Sequence, residues 1–203
     1  ERKSQWIAPR GGRLWMSYLD KDMDVTRYQG QAFNWIGFDE LTQWPTPYAW
    51  DYMRSRLRSA FSSQLGLYMR GTTNPGGNGH QWVKKMFIDP APPNDPFWAT
   101  NIETGDTIKF PKGHSREGQP LFRRRFIPAS LFDNPYLSDS GDYEAMLLSL
   151  PEHQRKQLLE GNWDINEGAA FPEFDRSIHV VEPYTIPKSW VRFRACDYGY
   201  GSY

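Results

Sequence analysis

Two adjacent acids, Asp39 and Glu40, directly follow the apolar run FNWIGF at residues 33–38. Such a run predicts a short buried strand, and parallel α/β sheets bind their ligands beyond the carboxyl ends of the strands. At that place one carboxylate can hold Mg²⁺ while the next orients the water that attacks a phosphate. Alternatively, both acids simply begin a helix or turn, where negative side chains favour the positive end of the helix dipole. The stretch alone leaves these two interpretations about even.

A second polar segment, TTNPGG at residues 72–77, follows the next apolar run, LGLYM at residues 65–69. If both runs form neighbouring strands, the hydroxyls of Thr72 and Thr73 and the amide of Asn74 lie beside the acid pair. There they can hydrogen-bond a γ-phosphate or the attacking water. Asn-Pro-Gly-Gly is also a favourable turn sequence, so the segment on its own does not decide between a turn and a phosphate sensor.

A third candidate, Asp197, ends the alternating run VRFRACD and precedes Tyr-Gly-Tyr-Gly. An aspartate before glycines is commonly a turn residue, and as the first acid of a metal-dependent nuclease it needs partner carboxylates. The sequence contains neither a GxxxxGK[ST] phosphate loop nor a G-x-S-x-G nucleophile elbow. Its four histidines have no ligand-like spacing with the lone Cys196, so no zinc site is predicted.

The arginines form two clusters, RSRLR at residues 54–58 and RRR at residues 123–125. Either cluster can contact DNA phosphates, although a solvated, salt-bridged face is the commoner role of such clusters. If the second cluster lies on a strand, Arg124 faces away from its two neighbours. Lys plus Arg and Asp plus Glu each number 24, so no overall charge favours nucleic acid or a membrane as the partner.

The order of predicted elements is strand, helix, strand, helix, which favours an α/β fold with a parallel sheet. Strands are predicted at residues 13–19, 33–38 and 65–69, and helices at residues 47–61 and 81–88. Arg54 and Arg58 are expected to share one face of the first helix.

The second half of the chain predicts an insertion, two helices and a new domain. Residues 90–120 are rich in Pro, Gly, Asn and Asp, which indicates a surface insertion with a hairpin near residues 104–106. Helices are predicted at residues 140–149 and 151–160, and KSWVRFRACDYG predicts the first strand of a second domain. We expect the boundary at residues 164–175, which divides the chain into residues 1–164 and 165–203.

The remaining composition favours a soluble cytosolic protein. A single cysteine excludes an internal disulfide framework, and no run approaches the roughly 20 apolar residues of a membrane span. The chain opens with Glu1-Arg2-Lys3 and closes just after a predicted strand, so we expect an internal fragment of a longer protein.

Six segments, in order, resemble the large terminase subunit of tailed bacteriophages, the motor that packages DNA into procapsids. They are YQGQAFNWIGFDELTQWP, SRLRS, TTNPGGNGHQWVKKMFI, RFIPASLFDNPYL, LPEHQRKQLLEGNW and ACDYGYGS. The resemblance covers essentially the whole chain from residue 13 onward. It implies part of an additional-strand P-loop ATPase domain, with a parallel sheet and flanking helices, a helical linker and the first strand of an RNase H-like nuclease domain.

The resemblance also implies a role for each candidate of the ATPase domain. Asp39 matches the Walker B ligand of Mg²⁺, and Glu40 matches the catalytic glutamate. Thr72, Thr73 and Asn74 match the coupling motif that links ATP hydrolysis to DNA movement.

Further roles are implied for Asp197 and for an arginine. Asp197 matches the first metal-binding acid of the nuclease. Arg27 is the candidate for a catalytic arginine that reaches the ATP of a neighbouring subunit, and Arg56 and Arg58 are weaker candidates. No DNA-binding residue is identified.

The intact protein is thus expected to hydrolyse ATP with Mg²⁺ and to cleave DNA with Mg²⁺ or Mn²⁺. Its expected partners are double-stranded DNA, the portal protein, the small terminase subunit and further copies of itself in a ring. It would work in the cytoplasm of the bacterial host and transiently at the portal vertex. Because the resemblance places the Walker A loop before residue 1 and the other nuclease acids after residue 203, we expect the fragment to be inactive. Two alternatives are another additional-strand ATPase, such as a helicase, and a non-catalytic DNA-binding or assembly module.

Overall fold

The first described residues form an antiparallel hairpin. The structure, a computed structural model, describes residues 4–59, 66–138, 141–164 and 180–193. Strands β1 (Ser4–Ile7) and β2 (Arg13–Met16) pair from Ser4↔Met16 to Ile7↔Arg13. β2 lies within the strand predicted at residues 13–19, but within the described part of the chain it pairs only with β1. A 3₁₀ helix, Asp22–Tyr28, follows.

Two parallel strands carry the acid pair and the threonine segment. β3 (Trp35–Phe38) pairs with β4 (Tyr68–Gly71) from Trp35↔Tyr68 to Phe38↔Gly71. Both strands and their parallel pairing agree with the strand–helix–strand prediction, although β4 lies slightly beyond the predicted residues 65–69. Because the last pair is Phe38↔Gly71, the chain leaves both strands at the same level of the sheet.

The prediction that the first of these strands is buried holds for only one of its two faces. Ile36 is only 8% exposed, whereas Trp35 is 42% exposed. Ile36 and Phe38 pack on the core, while Trp35 and Gly37 lie on the opposite face of the pair. The Trp35 ring covers Gly37, since a β-carbon there would lie 2.5 Å from the indole. The strand is therefore half-buried, and the Trp35 ring covers Gly37 on its exposed face.

Helix α1 (Tyr48–Arg54) is shorter than the helix predicted at residues 47–61. It ends because the following residues pair with the segment before β3: the Phe33 amide donates to Arg56 O at 3.0 Å, and the Arg58 amide donates to Phe33 O at 3.1 Å. Arg58 therefore lies outside the helix, and the prediction that it shares a helical face with Arg54 is wrong. Its guanidinium instead donates to Gly30 O at 3.0 Å.

The second helical segment confirms the prediction at residues 81–88. Helix α2 (His80–Val83) continues as a π-helical turn, Lys84–Ile88. Before it, Gly79 approaches the backbone beyond β3 so closely that its amide donates to Thr42 O at 2.7 Å. A short 3₁₀ turn, Leu41–Gln43, supplies that oxygen.

Two neighbouring apolar clusters form the core around β3, α1 and α2. The first is centred on two tryptophans of these helices and contains Leu41, Trp50, Trp82, Val83, Met86 and Trp163. The second packs between the 3₁₀ helix, β3 and α1 and contains Val25, Ile36, Ala49 and Met53. Burial of such side chains stabilises the fold by about 1.5–3 kcal/mol for each large residue.

The insertion contains the predicted hairpin. Thr100 and Thr107 pair across the turn, and the Gly105 amide donates to Asn101 O at 2.9 Å. Strands β5 (Phe97–Trp98) and β6 (Arg123–Arg124) pair antiparallel. Arg124 is buried, whereas both of its neighbours in the triplet are exposed, which confirms the predicted alternation.

Arg124 is held by aromatic rings and a backbone oxygen. Its guanidinium carbon lies 5.6 Å from the Phe87 ring centroid and 5.4 Å from that of Phe122. Its Nη1 donates a hydrogen bond to Thr100 O at 3.0 Å. Burial lowers the pKa of Arg124 to about 10, so the side chain stays charged at neutral pH. A structural role for this arginine follows.

Among the described residues, three helices follow the insertion. They are α3 (Pro135–Ser138), α4 (Asp142–Leu148) and α5 (Glu152–Leu158), of which the last two were predicted. A 3₁₀ turn, Leu131–Asp133, precedes them. No helix among the described residues is long and apolar enough to span a membrane.

The chain divides into two compact units, Glu1–Ala169 and Ala170–Tyr203. Of the second unit the structure describes residues 180–193, which contain no helix or strand. There the Trp190 amide donates to Pro187 O at 3.1 Å. The strand predicted to begin near Lys188 is therefore not formed up to Phe193, and its remaining residues lie outside the described ranges.

Candidate functional site

The acid pair and the threonine segment meet at the carboxyl edge of β3 and β4. Thr72 donates a hydrogen bond from its hydroxyl to Asp39 Oδ1 at 2.5 Å. Its backbone continues the ladder, because the Thr72 amide donates to Phe38 O at 2.9 Å and Thr72 O accepts from the Leu41 amide at 3.0 Å. The structure thus brings together Asp39 and Thr72, which are 33 residues apart in sequence.

Residues 72–77 are here called the threonine loop, and Thr42 forms hydrogen bonds with the part of this loop that follows Thr72. Its amide donates to Thr73 Oγ1 at 3.0 Å, and the two hydroxyl oxygens lie 2.7 Å apart. The Thr42 hydroxyl also donates to Asn74 O at 3.0 Å. Thr42 is 2% exposed and was not a predicted site residue. Its only signal in the sequence is a hydroxyl two positions after Glu40, which does not indicate a partner 31 residues away.

Glu40 adopts a left-handed backbone conformation, with φ 52° and ψ 53°. For a residue with a β-carbon this costs about 1–2 kcal/mol. The extended backbone of β3 thus ends immediately after Asp39. Within the described part of the chain the Glu40 carboxylate has no hydrogen bond or ion pair, and the residue is exposed. Strain at an exposed acid next to a strand end is typical of functional sites.

Glu40 lies between two clefts. One, of about 350 Å³, separates Glu40 from α5 and is lined by Glu40, Thr42, Gln43, Asn74, Pro75, Gly76, Gly77, Gln154, Gln157 and Leu158. The other, of about 540 Å³, is lined by Leu19, Asp20, Lys21, Asp22, Asp39, Glu40, Gln43, Trp44 and Pro45. Glu40 and Gln43 line both clefts. The Glu40 carboxylate can therefore meet a ligand that enters from either side.

The donor set suits a metal ion that arrives with a phosphate. No group of three or more His, Cys, Asp or Glu side chains among the described residues is arranged to hold a metal ion. Asp39 nevertheless offers the oxygen that Thr72 does not occupy, and Mg²⁺ is commonly held by one or two carboxylates together with substrate phosphates and water. Asp39 fits an ion of this kind, which needs few protein ligands.

Arg27 lines neither of the two clefts. Its guanidinium donates to Tyr18 O and lies 5.8 Å from the Tyr18 ring centroid and 5.7 Å from that of Tyr28. The weaker candidate Arg56 donates to the Ser55 hydroxyl at 2.9 Å. Both arginines make local contacts in this chain, so either would have to release them to reach a neighbouring subunit. Asp197 lies outside the described residues.

His80 is a buried residue that the sequence did not single out. Its Nδ1 accepts from the Gly76 amide at 2.8 Å, and its Nε2 lies 3.1 Å from Trp163 O. Because Nδ1 is an acceptor, the ring is neutral with its proton on Nε2. Burial lowers the pKa of His80 below its ordinary value of 6.5, while the hydrogen bond to Trp163 and the acids Asp164 and Asp89 oppose this effect.

We expect His80 to make stability depend on pH. Its pKa is lower in the folded chain, so the unfolded chain takes up the proton first as the pH falls. The stabilisation is complete above about pH 6.5, the ordinary value, and is lost as the pH falls through the lowered pKa. Urea unfolding between pH 8 and pH 5 measures this loss. Among the nearby charges, that of Lys84 also lowers the pKa of His80, whereas those of Asp164 and Asp89 raise it.

The matched control is His80→Gln, which removes the titrating ring. Its unfolding free energy should vary less with pH in this window than that of the unaltered chain. Equal pH profiles of the two chains would contradict the assignment of the effect to His80.

Comparison of the chain with protein-family profiles, curated protein sequences and solved structures returns no match. The residues at the β3–β4 edge and the order of the segments along the chain are therefore the features that bear on function.

Proposed function

We propose that this chain is part of a viral DNA-packaging motor of the large terminase type, and that the β3–β4 edge is the hydrolytic part of its ATPase site. The observation that carries the proposal is the hydrogen bond between Thr72 and Asp39 at the ends of two parallel strands. It joins the acid pair to the threonine loop, the two segments whose positions after predicted strands suggested nucleotide chemistry. The exposed carboxylate of Glu40 stands next to that pair.

In the proposed reaction, Glu40 orients a water molecule and polarises its O–H bond. The water oxygen then forms a bond to the γ-phosphorus as the bond to the β–γ bridging oxygen breaks. The proton of the water passes to solvent or phosphate, and ADP retains the bridging oxygen. Asp39 is held in a fixed orientation by Thr72, which leaves its second oxygen for Mg²⁺. When bound, Mg²⁺ would neutralise charge on the β- and γ-phosphates.

The threonine loop would couple hydrolysis to DNA movement. It contacts the acid segment through Thr72 and Thr73, and its Gly76 packs against Gln157 of α5. A loop with contacts on both sides can pass a change at the phosphate to other parts of the chain.

We further propose how the intact protein assembles and which partners it binds. Further copies of the protein would form a ring at the portal vertex, with Arg27 as the candidate arginine acting between subunits. Double-stranded DNA, the portal protein and the small terminase subunit would be its partners in the host cytoplasm. The unit that begins at residue 170 would belong to a nuclease in which Asp197 binds Mg²⁺ or Mn²⁺.

The experiment compares the intact parent protein with the 203-residue chain in ATP turnover. We expect Mg²⁺-dependent turnover by the intact protein and none by this chain, because it lacks a phosphate loop. Turnover by the isolated chain would contradict the fragment hypothesis. An intact protein that binds DNA but never hydrolyses ATP would favour the assembly module instead.

A further inference from the structure

We propose that His80 is a positioning residue that holds the threonine loop in register with the acid segment by joining the loop to the chain after α5. The proposal concerns the conformation of this chain. Its consequence for DNA movement rests on the proposed function.

His80 bridges two segments that are far apart in sequence. On one side it accepts from the Gly76 amide at 2.8 Å, and on the other its Nε2 proton is donated to Trp163 O at 3.1 Å. The rings of His80 and Trp163 also stack, with centroids 5.3 Å apart and an interplanar angle of 27°. His80 is only 5% exposed, so water does not compete for these bonds.

Two further contacts join residues 76–84 to residues 157–164. A β-carbon on Gly76 would lie 3.3 Å from Cδ, Oε1 and Nε2 of Gln157 alike, so the flat face of that carboxamide covers Gly76. Gln157 is 5% exposed, and its Nε2 has no acceptor among the described residues. Lys84 adds an ion pair with Asp164 at 3.1 Å. Residues 157–164 are thus attached to residues 76–84 at three places.

The threonine loop is consequently held from two sides. Thr72 and Thr73 attach it to Asp39 and Thr42, and Gly76 attaches it to His80. Displacement of the loop at one side must be accommodated at the other, because packed segments shift between discrete arrangements rather than stretch. His80 therefore determines where the loop stands relative to the acids.

Amide hydrogen exchange of the 203-residue chain tests this role with two variants, each of which removes one of the two His80 hydrogen bonds. His80→Asn keeps an acceptor near Gly76 and loses the donor to Trp163. His80→Gln keeps the donor to Trp163 and loses the acceptor. In both variants we expect the Thr42 amide, which donates to Thr73, to exchange roughly tenfold faster, the effect of losing one hydrogen bond. The Ala99 amide, which donates to Phe122 O at 2.9 Å, reports general stability.

A merely structural histidine would change exchange at Thr42 and Ala99 by the same factor, or at Gly76 alone. Either result would overturn the proposal. His114→Gln is the matched control, since His114 is exposed and stacks on Phe110, and it should leave Thr42 unchanged. If both His80 variants fail to fold, the unaltered chain provides the test: a protonated Nδ1 cannot accept from the Gly76 amide, so the exchange ratio of Thr42 to Ala99 should rise as the pH falls and His80 takes up a proton. A ratio that does not change with pH would overturn the proposal.

A second arm uses the intact protein and measures base pairs moved for each ATP hydrolysed. We expect the His80 variants to hydrolyse ATP and move several-fold less DNA for each ATP. An unchanged ratio would overturn the coupling consequence of His80. If the unaltered intact protein hydrolyses no ATP, the proposed function fails, whereas the exchange ratio of Thr42 to Ala99 still decides the positioning role.

Discussion

Glu40→Gln in the intact protein should reduce ATP turnover by about 10²–10⁴-fold while nucleotide affinity stays close to that of the unaltered protein. The exposed carboxylate is the group that would polarise the attacking water, and the amide of glutamine is not basic. Asp39 and Thr72 are untouched, so the residues that would hold the ion and the phosphate remain. Turnover at saturating ATP and the dissociation constant of a non-hydrolysable ATP analogue measure the two effects separately.

The variant is well suited to this comparison because it should not alter the fold. Glutamine has nearly the same shape as glutamate and no better tolerance of the left-handed conformation at residue 40, so the backbone strain is retained. Glu103→Gln, on the exposed hairpin of the insertion, makes the same chemical change away from the edge and should leave turnover unchanged. Equal turnover by the two variants would exclude Glu40 as the residue that orients and polarises the attacking water.

Gly79→Ala should destabilise the chain by about 3 kcal/mol, as expected when a side chain is forced into a packed region. A β-carbon at Gly79 would lie 2.0 Å from Trp44 O and 2.6 Å from Trp82 Nε1. Those two groups are hydrogen-bonded to each other at 2.7 Å, so the methyl group would break that bond as well. The backbone of Gly79 has φ −95°, and the expected effect is therefore steric rather than conformational. Urea unfolding measures it.

Gly12→Ala is the matched control. There the nearest atom to the added methyl group is Ala8 Cβ at 3.8 Å, an ordinary contact, and the stability should change by less than about 0.5 kcal/mol. A Gly79 variant as stable as this control would show that the turn after β3 and the start of α2 are not packed as closely as described.

The sequence predicts best those features that depend on local pattern. The apolar runs before Asp39 and Thr72 indicate two strands, and the helix between them indicates parallel pairing. Since the carboxyl ends of parallel strands meet, proximity of Asp39 and Thr72 follows from the pattern. The alternating burial of Arg124 and its neighbours follows from strand geometry in the same way.

Features that depend on distant partners were not predictable. Helix α1 stops at Arg54 because Leu57 pairs with Phe33, a contact that no helical periodicity reveals. Thr42 and His80 gain their roles from partners 31 and 83 residues away. Trp35 looks like a core residue by type, yet it lies on the face of the pair opposite the core. In each case tertiary contacts override a local preference.

ATP-driven movement of double-stranded DNA by the intact protein, with the unaltered and Glu40→Gln forms side by side, tests the central claim most directly. We predict that the unaltered protein moves DNA only while it hydrolyses ATP, and that Glu40→Gln binds both ATP and DNA without moving the DNA. DNA movement by the Glu40→Gln form at the unaltered rate would contradict the claim that this edge powers a packaging motor.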